Sequence, residues 1–421
     1  MKQKTAIIGF GCAGYHSVKA MREQGYTGTI DVYTDSAWVP ANPMLTTYYI
    51  YGKLSKEGTQ PFGSIETLAQ KFDFQIIKTS VKKILSEEKK VLTEEGKEVS
   101  YDQILIATGA RAFVPPIPGA DSGHVFPMRT MNDAEAVKHV LEEEEIKTAV
   151  VVGASMVGIK LVELFCSRGI KTTLVDMAPY IFPVSAVPVV ADEIERRLKE
   201  KGVDLAFSKA MQEISDEDGK KCVRFADGSS LKCDLVMMCI GTRANTETAD
   251  DAIKVNRGIV VDEKMQTNVS GIYSAGDCCE GMNLQSGETQ IIGIWDNAAH
   301  QGETAGINMA GGDVSYPGNI LHNITHFMGM DFIGYGDVRM EGEETIFQNK
   351  EKGQIFTVRM KDKEPICMNF LDSYGASGSF KAYMLRKLKD KNARITPIER
   401  VRMIQEEVPE DVIKCLMKEE G

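Results

Sequence analysis

The sequence predicts an α/β protein with two Rossmann-like units, followed by a C-terminal α+β region. The main observation is a pair of glycine-rich turns that begin at Gly9 and Gly153. Each turn follows a short apolar run and opens a segment with helical spacing. Apolar strand-like runs also alternate with amphipathic stretches through most of the first 240 residues, which is typical of parallel α/β folds. Because such turns hold dinucleotides, two of them predict two dinucleotide-binding domains.

The residue types in each turn suit the binding of a pyrophosphate. The first glycine makes the bend from strand to helix, a small second residue lets the phosphates approach, and the third glycine lets the helix pack closely on the strand. Free N–H groups and a partial positive charge at the helix N-terminus favour the phosphates. The predicted contacts are Gly9, Gly11, Cys12, Ala13 and Gly14 in the first turn, and Gly153, Ser155, Met156, Val157 and Gly158 in the second.

The remaining elements follow in chain order. Residues 17–24 are expected to continue the first helix, and 29–34 to form the second strand. Short strands at 81–85, 90–93 and 101–106 predict a meander with a turn at 95–96. A proline-rich stretch then leads into the second unit, which has its own meander. The predicted domains are 1–115 with 240–316, then 116–239, and finally 317–421.

Composition restricts the class of protein. The net charge of −11 gives no general basis for nucleic-acid binding. No apolar run reaches the roughly 18–20 residues that span a bilayer. The first strand begins close to Met1, which leaves no room for a signal peptide, and nine cysteines without CxxC spacing indicate a reducing compartment. We therefore expect a cytoplasmic protein with no membrane span and no nucleic-acid partner.

Four sequence elements occur in a recognisable order: GFGCAG at 9–14, ATGAR at 107–111, GASMVG at 153–158 and GIYSAGDC at 271–278. Over residues 1 to about 312 the chain resembles the glutathione-reductase-like, or pyridine nucleotide–disulfide oxidoreductase, superfamily. The resemblance implies that the first unit binds FAD and the second binds NAD(P)H. It adds these cofactor-binding candidates: Asp35, Ala107, Thr108, Gly109, Arg111, Gly241, Gly276, Asp277, Trp295, Asn297 and Ala298.

Two roles within that set are specific. The resemblance implies that Asp277 holds the ribityl and phosphate region of the flavin. It also implies that the segment from Trp295 to Gly302 begins a helix whose N-terminus faces the pyrimidine edge of the flavin. A helix N-terminus in that position would favour negative charge on the reduced flavin.

Acidic residues after the second strand of each unit bear on ribose recognition. Asp176 lies about 20 residues after the second glycine turn, where a carboxylate accepts a bond from the ribose 2′-OH. No arginine follows it, so NADH is favoured over NADPH. In the first unit Thr34 occupies the family's usual glutamate position. Asp35 is therefore the candidate there, although it could equally be a turn residue.

The absence of redox cysteines restricts the resemblance to one branch of this superfamily. The stretch from Trp38 to Tyr49 carries none of the redox cysteines of disulfide reductases or NADH oxidases. The chain then resembles the branch of ferredoxin, rubredoxin and nitrite reductase flavoproteins and apoptosis-inducing factor. In that branch a lysine beside the flavin pairs with a glutamate, and Thr47 and Lys160 occupy these two positions here. Lys160 either supplies a positive field near flavin N5 or points to solvent from a helix face.

Several alternatives stay open for the other reactive residues. Cys12 is expected to be structural, and adjacent Cys278 and Cys279 form a redox pair only as a rare strained disulfide. His322 and His326 have i, i+4 spacing but no third ligand, so no metal site is expected.

The electron acceptor is the least defined part of the prediction. The segment 381–402 carries a net charge of +6, which would steer an acidic carrier such as ferredoxin or rubredoxin; the alternative is a solvated amphipathic helix. Its basic residues are Lys381, Arg386, Lys387, Lys389, Lys391, Arg394, Arg400 and Arg402. The resemblance also allows a homodimer through the C-terminal region.

The function predicted from these features is transfer of electrons from NADH through FAD to a protein carrier or partner enzyme, without a redox-active disulfide. Three alternatives stay open. They are an NADH oxidase or small-molecule reductase, a redox-sensing flavoprotein of the apoptosis-inducing-factor type, and the flavin subunit of a larger complex.

Overall fold

The computed structural model describes residues 3–417. Within this range the helices are α1 (Cys12–Glu23), α2 (Thr46–Ile50), α3 (Ile65–Phe72), α4 (Met131–Glu143), α5 (Met156–Ser167), α6 (Pro188–Glu200), α7 (Trp295–Met309), α8 (Ser377–Lys389), α9 (Pro397–Gln405) and α10 (Glu410–Met417), with short 3₁₀ turns at Pro43–Leu45 and Glu57–Thr59.

The strands, in chain order, are β1 (Lys4–Ile8), β2 (Thr29–Tyr33), β3 (Gln75–Ile77), β4 (Val81–Leu85), β5 (Lys90–Thr93), β6 (Glu98–Ser100), β7 (Gln103–Ile106), β8 (Ala110–Ala112), β9 (Val125–Pro127), β10 (Thr148–Val152), β11 (Lys171–Val175), β12 (Asp204–Ala206), β13 (Met211–Glu217), β14 (Lys220–Phe225), β15 (Ser230–Cys233), β16 (Leu235–Met238), β17 (Thr242–Ala244), β18 (Ile259–Val260), β19 (Ile272–Ser274), β20 (Cys279–Met282), β21 (Thr289–Gln290), β22 (His322–Phe327), β23 (Met330–Gly336), β24 (Glu343–Asn349), β25 (Gln354–Lys361) and β26 (Glu364–Leu371).

The first compact unit is built from residues up to Ala112, Arg129–Lys138 and Thr242–Asn319. Its parallel sheet has the order β19-β7-β1-β2-β3. Strands β1, β2 and β7 of this sheet are short, largely apolar and mostly buried, as expected for the interior of a covered parallel sheet. Helices α1 and α7 pack together so closely that a Cβ atom at Gly302 would lie 2.2 Å from Ala13 O. This packing fixes the first glycine turn against the start of α7.

The predicted meander of the first unit needs one correction. Its three antiparallel strands are β4, β5 and β6, so the third strand is Glu98–Ser100. The run predicted at 101–106 instead supplies β7, which lies in the parallel sheet between β1 and β19. All four residues of β7 are buried, which explains why this apolar run belongs to the core of the sheet and not to a half-exposed hairpin.

The second compact unit contains Phe113–Met128, His139–Gly241 and the residues from Ile320 onward. It repeats the plan, with a parallel sheet in the order β12-β11-β10-β16-β9 and a meander of β13, β14 and β15. The same unit includes a five-stranded antiparallel sheet, β22-β23-β26-β25-β24, and helices α8, α9 and α10. The predicted fold class is therefore confirmed, whereas the proposed boundaries between three domains stay a prediction.

No helix within residues 3–417 is both long enough and apolar enough to cross a bilayer. The two histidines with i, i+4 spacing lie on strand β22 and not on a helix. His322 is buried with Nδ1 3.1 Å from Ile320 O, and His326 pairs with Asp331.

Candidate cofactor sites

The first glycine turn has the shape that a pyrophosphate requires. Gly9 has a φ of +92°, and a Cβ atom there would lie 2.4 Å from Ala107 O. A Cβ atom at Gly14 would lie 2.4 Å from Gly9 O, so the third glycine permits the helix to pack on the strand. By contrast, no atom lies within 4 Å of the position that a Cβ atom at Gly11 would take. Gly11 precedes α1, and no side chain caps that helix. The open space and the uncapped N–H groups fit a diphosphate.

The Ala107–Gly109 loop lies directly against this turn. Ala107 N donates to Ile8 O at 2.8 Å, and Gly109 has a φ of +66°. Asn245 secures the loop from the other side: Thr108 Oγ1 donates to its carbonyl at 2.6 Å, and its own amide donates to Thr108 O at 3.0 Å. Arg111 is exposed and bonded to Asn245 and Glu247. The loop is thus held rigidly, while the Arg111 side chain is directed to protein carboxylate and amide groups.

Asp277 is paired with an arginine that the sequence did not single out. Arg129 Nη2 lies 2.5 Å from Asp277 Oδ2, and the two side chains are 23% and 16% exposed. Arg129 is itself positioned by its backbone N–H, which donates to Asp133 at 2.9 Å. The preceding Gly276 has a φ of +87°, and its N–H donates to Gln301 Oε1 at 2.9 Å. No spacing rule links Arg129 to Asp277, which is 148 residues away, so only the fold reveals the pair.

The start of α7 also lacks a side-chain cap. Trp295 is half-buried and stacks on Phe62, with ring centroids 5.8 Å apart. Asn297 is 1% exposed, and both ends of its amide are bonded within the protein: Nδ2 donates to Ile292 O at 2.9 Å, and Oδ1 accepts from Tyr316. Ala298 is buried. Any contact of Asn297 with a cofactor therefore falls to its backbone.

Asp35 lies just beyond β2 and is exposed. Its carboxylate accepts a hydrogen bond from Ser80 Oγ at 2.5 Å. Thr34, at the family's usual acidic position, instead continues the sheet by donating its N–H to Ile77 O at 3.1 Å. The bond to Ser80 orients the Asp35 carboxylate at the carboxyl end of the sheet, where dinucleotides bind in such folds.

The second glycine turn has the same geometry as the first, with one difference. Gly153 has a φ of +110°, and a Cβ atom there would lie 2.3 Å from Cys239 O. Ser155 occupies the position of the second glycine and caps α5: its Oγ accepts from Gly158 N at 3.2 Å and donates to Cys239 O at 2.9 Å. Met156 and Val157 begin the helix, and Val157 is 39% exposed. The N–H groups of these two residues are the ones left at the helix N-terminus that could bind a phosphate.

Asp176 directly follows β11 and faces the second glycine turn. Its Oδ2 accepts from Ala154 N at 2.7 Å, and its Oδ1 accepts from Ala178 N at 2.8 Å. Both carboxylate oxygens are thus oriented by backbone N–H groups, one of them within the turn itself. Gly241, where the chain leaves this sheet, has a φ of +108° and accepts from Phe113 N at 2.9 Å.

Lys160 does not point freely to solvent. Its ammonium group forms an ion pair with Glu163 on the same helix and donates to His326 O at 2.7 Å. Glu163 in turn accepts from Met328 N at 2.9 Å, so the pair fastens the β22–β23 turn to α5. The solvent-facing alternative is therefore wrong, and the role at the flavin stays a prediction. Thr47 is buried in α2.

The cysteines are placed for packing. Cys12 is buried and its thiol donates to Trp295 O at 3.3 Å. Burial, reinforced by the carboxylates of Asp277 and Asp296, raises the pKa of the Cys12 thiol to about 12. Cys278 and Cys279 are both free thiols and fully buried. No cysteine occurs between Ala13 and Phe165, where disulfide reductases carry their redox pair.

Residues 3–302 match the family model described as pyridine nucleotide-disulphide oxidoreductase. The chain belongs to this family. A family member described as an NADH oxidase from Methanocaldococcus jannaschii is 31% identical over 320 residues, which is 74% of this chain and 71% of the relative. The ε subunit of an NADH-dependent phenylglyoxylate dehydrogenase from Aromatoleum evansii is 27% identical and covers 83% of each chain. A rubredoxin-NAD(+) reductase from Pseudomonas putida is 25% identical over 74% of this chain and 81% of the relative.

Solved structures of this family share the fold. A water-forming NADH oxidase from Lactobacillus brevis, bound to NADH, superposes with a TM-score of 0.84 at 21% identity and covers 91% of each chain. A putidaredoxin reductase, solved in a covalent complex with putidaredoxin, gives a TM-score of 0.83 at 20% identity over 97% of this chain and 99% of that one. The two-unit architecture is thereby confirmed. The family match and the 31% identical NADH oxidase relative confirm an FAD-dependent oxidoreductase that uses NAD(P)H.

Proposed function

We propose that this protein oxidises NADH and passes the electrons through FAD directly to a protein electron acceptor. The observation that carries this proposal is the absence of an accessible thiol beside the FAD cradle. Among the described cysteines of the first unit, Cys12, Cys278 and Cys279 are all buried. Thiolates and not thiols are nucleophilic, so a Cys12 whose pKa is raised to about 12 is inert near neutral pH. Electrons must then leave from the flavin itself.

The chain supplies binding and orientation for this chemistry. When bound, FAD accepts a hydride from NADH and releases the electrons singly or in pairs. Gly9, Gly11 and Gly14 would admit its diphosphate, and Asp277 with Arg129 would hold the adjoining polar region. Asp176 would accept a hydrogen bond from the NADH ribose and would repel a 2′-phosphate. Because Asp176 is held by Ala154 N and Ala178 N, this selection costs little rearrangement.

Part of the basic segment is committed to internal contacts. Lys387 is 4% exposed and donates to Lys391 O at 2.6 Å, and Arg386 pairs with the buried Glu399 at 2.6 Å. Lys391 lies 3.0 Å from Glu364. These contacts support the structural interpretation for α8 and for the loop that follows it.

Helix α9 is different: it buries Glu399 and Met403, but the rest of its surface is highly exposed. Ile398, Val401 and Ile404 are 73%, 53% and 56% exposed and recur at helical spacing. Arg400 and Arg402 are exposed on the same helix. A surface that combines apolar side chains with positive charge suits an acidic carrier protein, since complementary charge speeds association. We therefore place the acceptor surface on α9.

Steady-state NADH oxidation with different acceptors tests this proposal. We expect a rubredoxin or a plant-type ferredoxin to raise the rate well above the rate with oxygen alone, and we expect this gain to fall as salt rises. The double variant Arg400→Gln/Arg402→Gln should lower the carrier-dependent rate without changing flavin reduction by NADH. Lys90→Gln, which removes a lysine of the first unit, serves as the matched control. If NADH oxidation with oxygen alone is as fast as with a carrier, the protein is instead an NADH oxidase. Slow reduction of the flavin by NADH, with a lasting charge-transfer band, would indicate a sensor.

A second candidate function is that of a flavin subunit within a larger oxidoreductase. The match to the dehydrogenase ε subunit, which covers 83% of each chain, favours this alternative. Affinity purification from the native host distinguishes the two. A stoichiometric complex with further redox subunits would identify a subunit, whereas a homogeneous flavoprotein that reduces a separate carrier supports the reductase.

A further inference from the structure

A cavity of about 360 Å³ lies in the first unit, away from the glycine turn. Strands β1, β2 and β3 supply one part of its lining, and the meander supplies the other. Its volume falls within the roughly 300–1,000 Å³ that is typical of small-molecule sites. Six of the lining side chains supply charged or hydroxyl groups: Lys4, Asp31, Tyr33, Glu95, Lys97 and Tyr101.

A buried carboxylate forms the polar centre of the cavity. Asp31 is 5% exposed, and its Oδ2 accepts a hydrogen bond from the Tyr101 hydroxyl at 2.8 Å. Lys4 Nζ lies 3.2 Å from the same oxygen. A buried carboxylate is costly unless it is paired, and these two partners stabilise it. They engage Oδ2, which leaves Oδ1 as an acceptor.

The two tyrosines extend this centre into a hydrogen-bonded chain. The hydroxyl oxygens of Tyr33 and Tyr101 lie 2.6 Å apart. Because Tyr101 donates its proton to Asp31, Tyr33 must donate to Tyr101, and the Tyr33 oxygen keeps a free acceptor position. Burial raises the pKa of both tyrosines, so both hydroxyls stay protonated.

The charges around the cavity balance. Asp31 and Glu95 oppose Lys4 and Lys97, and Glu95 is oriented by a hydrogen bond from Thr79 at 2.6 Å. A lining without net charge gives no advantage to a phosphate group. Adjacent carboxylate and ammonium groups do match a hydroxyl, which donates to the first and accepts from the second. Aromatic rings and the side chains of Ile77 and Val99 would cover the apolar face of such a ligand.

We propose that this cavity binds a neutral molecule that carries neighbouring hydroxyl groups on a ring. Two sources share this chemistry: the ribose of a nucleoside and a free monosaccharide. The site would be separate from both dinucleotide sites, because neither glycine turn lines it and neither Asp35 nor Asp176 does. This inference does not depend on the identity of the electron acceptor.

Isothermal titration calorimetry of the FAD-loaded protein with saturating NAD⁺ tests the proposal, with adenosine, D-ribose and D-glucose as separate probes. Saturable binding of at least one probe is expected. Asp31→Asn should weaken it about tenfold or more, since the acceptor loses its negative charge. Tyr33→Phe, which removes only the terminal hydroxyl, should weaken it less and keeps the test valid if Asp31→Asn does not fold. The matched control is Glu98→Gln on β6. Glu98 lies between two residues that line the cavity but does not line it itself, so this variant should bind the probes like wild type.

The outcomes are distinct. Binding of adenosine alone assigns the nucleoside source, and binding of ribose or glucose alone assigns the saccharide source. No saturable binding of any probe would overturn the proposal. So would binding that Asp31→Asn and Tyr33→Phe leave unchanged, because the probe would then occupy a dinucleotide site.

Discussion

Replacement of Arg129 by Met tests the electrostatic balance of the proposed FAD cradle. The ion pair with Asp277 has a contact of 2.5 Å between side chains that are only 23% and 16% exposed. The variant leaves an uncompensated carboxylate beside the proposed site of a negatively charged diphosphate. A hydrogen bond to a charged group is worth about 1.5–3 kcal/mol, and residual solvent access here lowers the expected loss of FAD binding free energy to about 1–2 kcal/mol. The dissociation constant of FAD should therefore rise about 5- to 30-fold.

Fluorescence titration of apoprotein with FAD measures this change. The double variant Arg129→Met/Asp277→Asn should lose less FAD binding free energy than the two single variants lose together, because the second change removes the unpaired charge. Arg257→Met is the matched control, since that arginine is exposed in the same unit and is not among the cofactor-binding candidates. An Arg129→Met protein that binds FAD within twofold of wild type, with normal far-UV circular dichroism, would refute the reasoning.

Three further predictions concern the other elements of the sites. Asp176→Ala should lower kcat/KM for NADH about tenfold or more, because a charged acceptor for the ribose hydroxyl is lost. The preference for NADH over NADPH should also decrease. An unchanged ratio of the kcat/KM values for the two nucleotides would contradict the assignment of Asp176. Gly302→Ala should lower the free energy of unfolding in urea by about 1–3 kcal/mol, since its Cβ atom would lie 2.2 Å from Ala13 O. Gly11→Ala should instead leave this free energy unchanged and weaken FAD binding. Because the pKa of Cys12 is raised to about 12, its thiolate fraction is about 10⁻⁴ at pH 8 and rises only as pH approaches 12. Iodoacetamide should therefore react very slowly with Cys12 at pH 8. Rapid inactivation at that pH, abolished by Cys12→Ser, would contradict this prediction.

The local pattern is sufficient to predict both glycine turns, because the third glycine of each turn packs against the first, only five residues earlier in the chain. Gly9 and Gly14 lack space for a side chain for the reasons expected from their spacing. The run at 101–106 was misassigned to the meander because a short apolar strand looks the same in either setting until its neighbours are known. The partners β1 and β19, between which β7 lies, are far from it in sequence.

Charge pairs were the least predictable features. Arg129 and Asp277 meet only through the fold. The pairing of Lys160 with Glu163 was likewise not predicted, and its role at the flavin stays a prediction. Lys387 is part of the net positive charge of segment 381–402, but its side chain is buried against a backbone carbonyl. Net charge over a segment does not state which side chains are exposed, because long basic side chains bury their stems and find local acceptors.

Anaerobic titration with NADH, followed by visible absorbance, tests the central claim most directly. A flavin without a second redox centre takes up a single hydride. Direct electron transfer from the flavin therefore predicts a yellow protein whose absorbance is bleached fully by about one equivalent of NADH per FAD, and far less readily by NADPH. Consumption of about two equivalents, with a thiolate-to-flavin band at the midpoint, would show a redox-active cysteine and contradict direct electron transfer from the flavin.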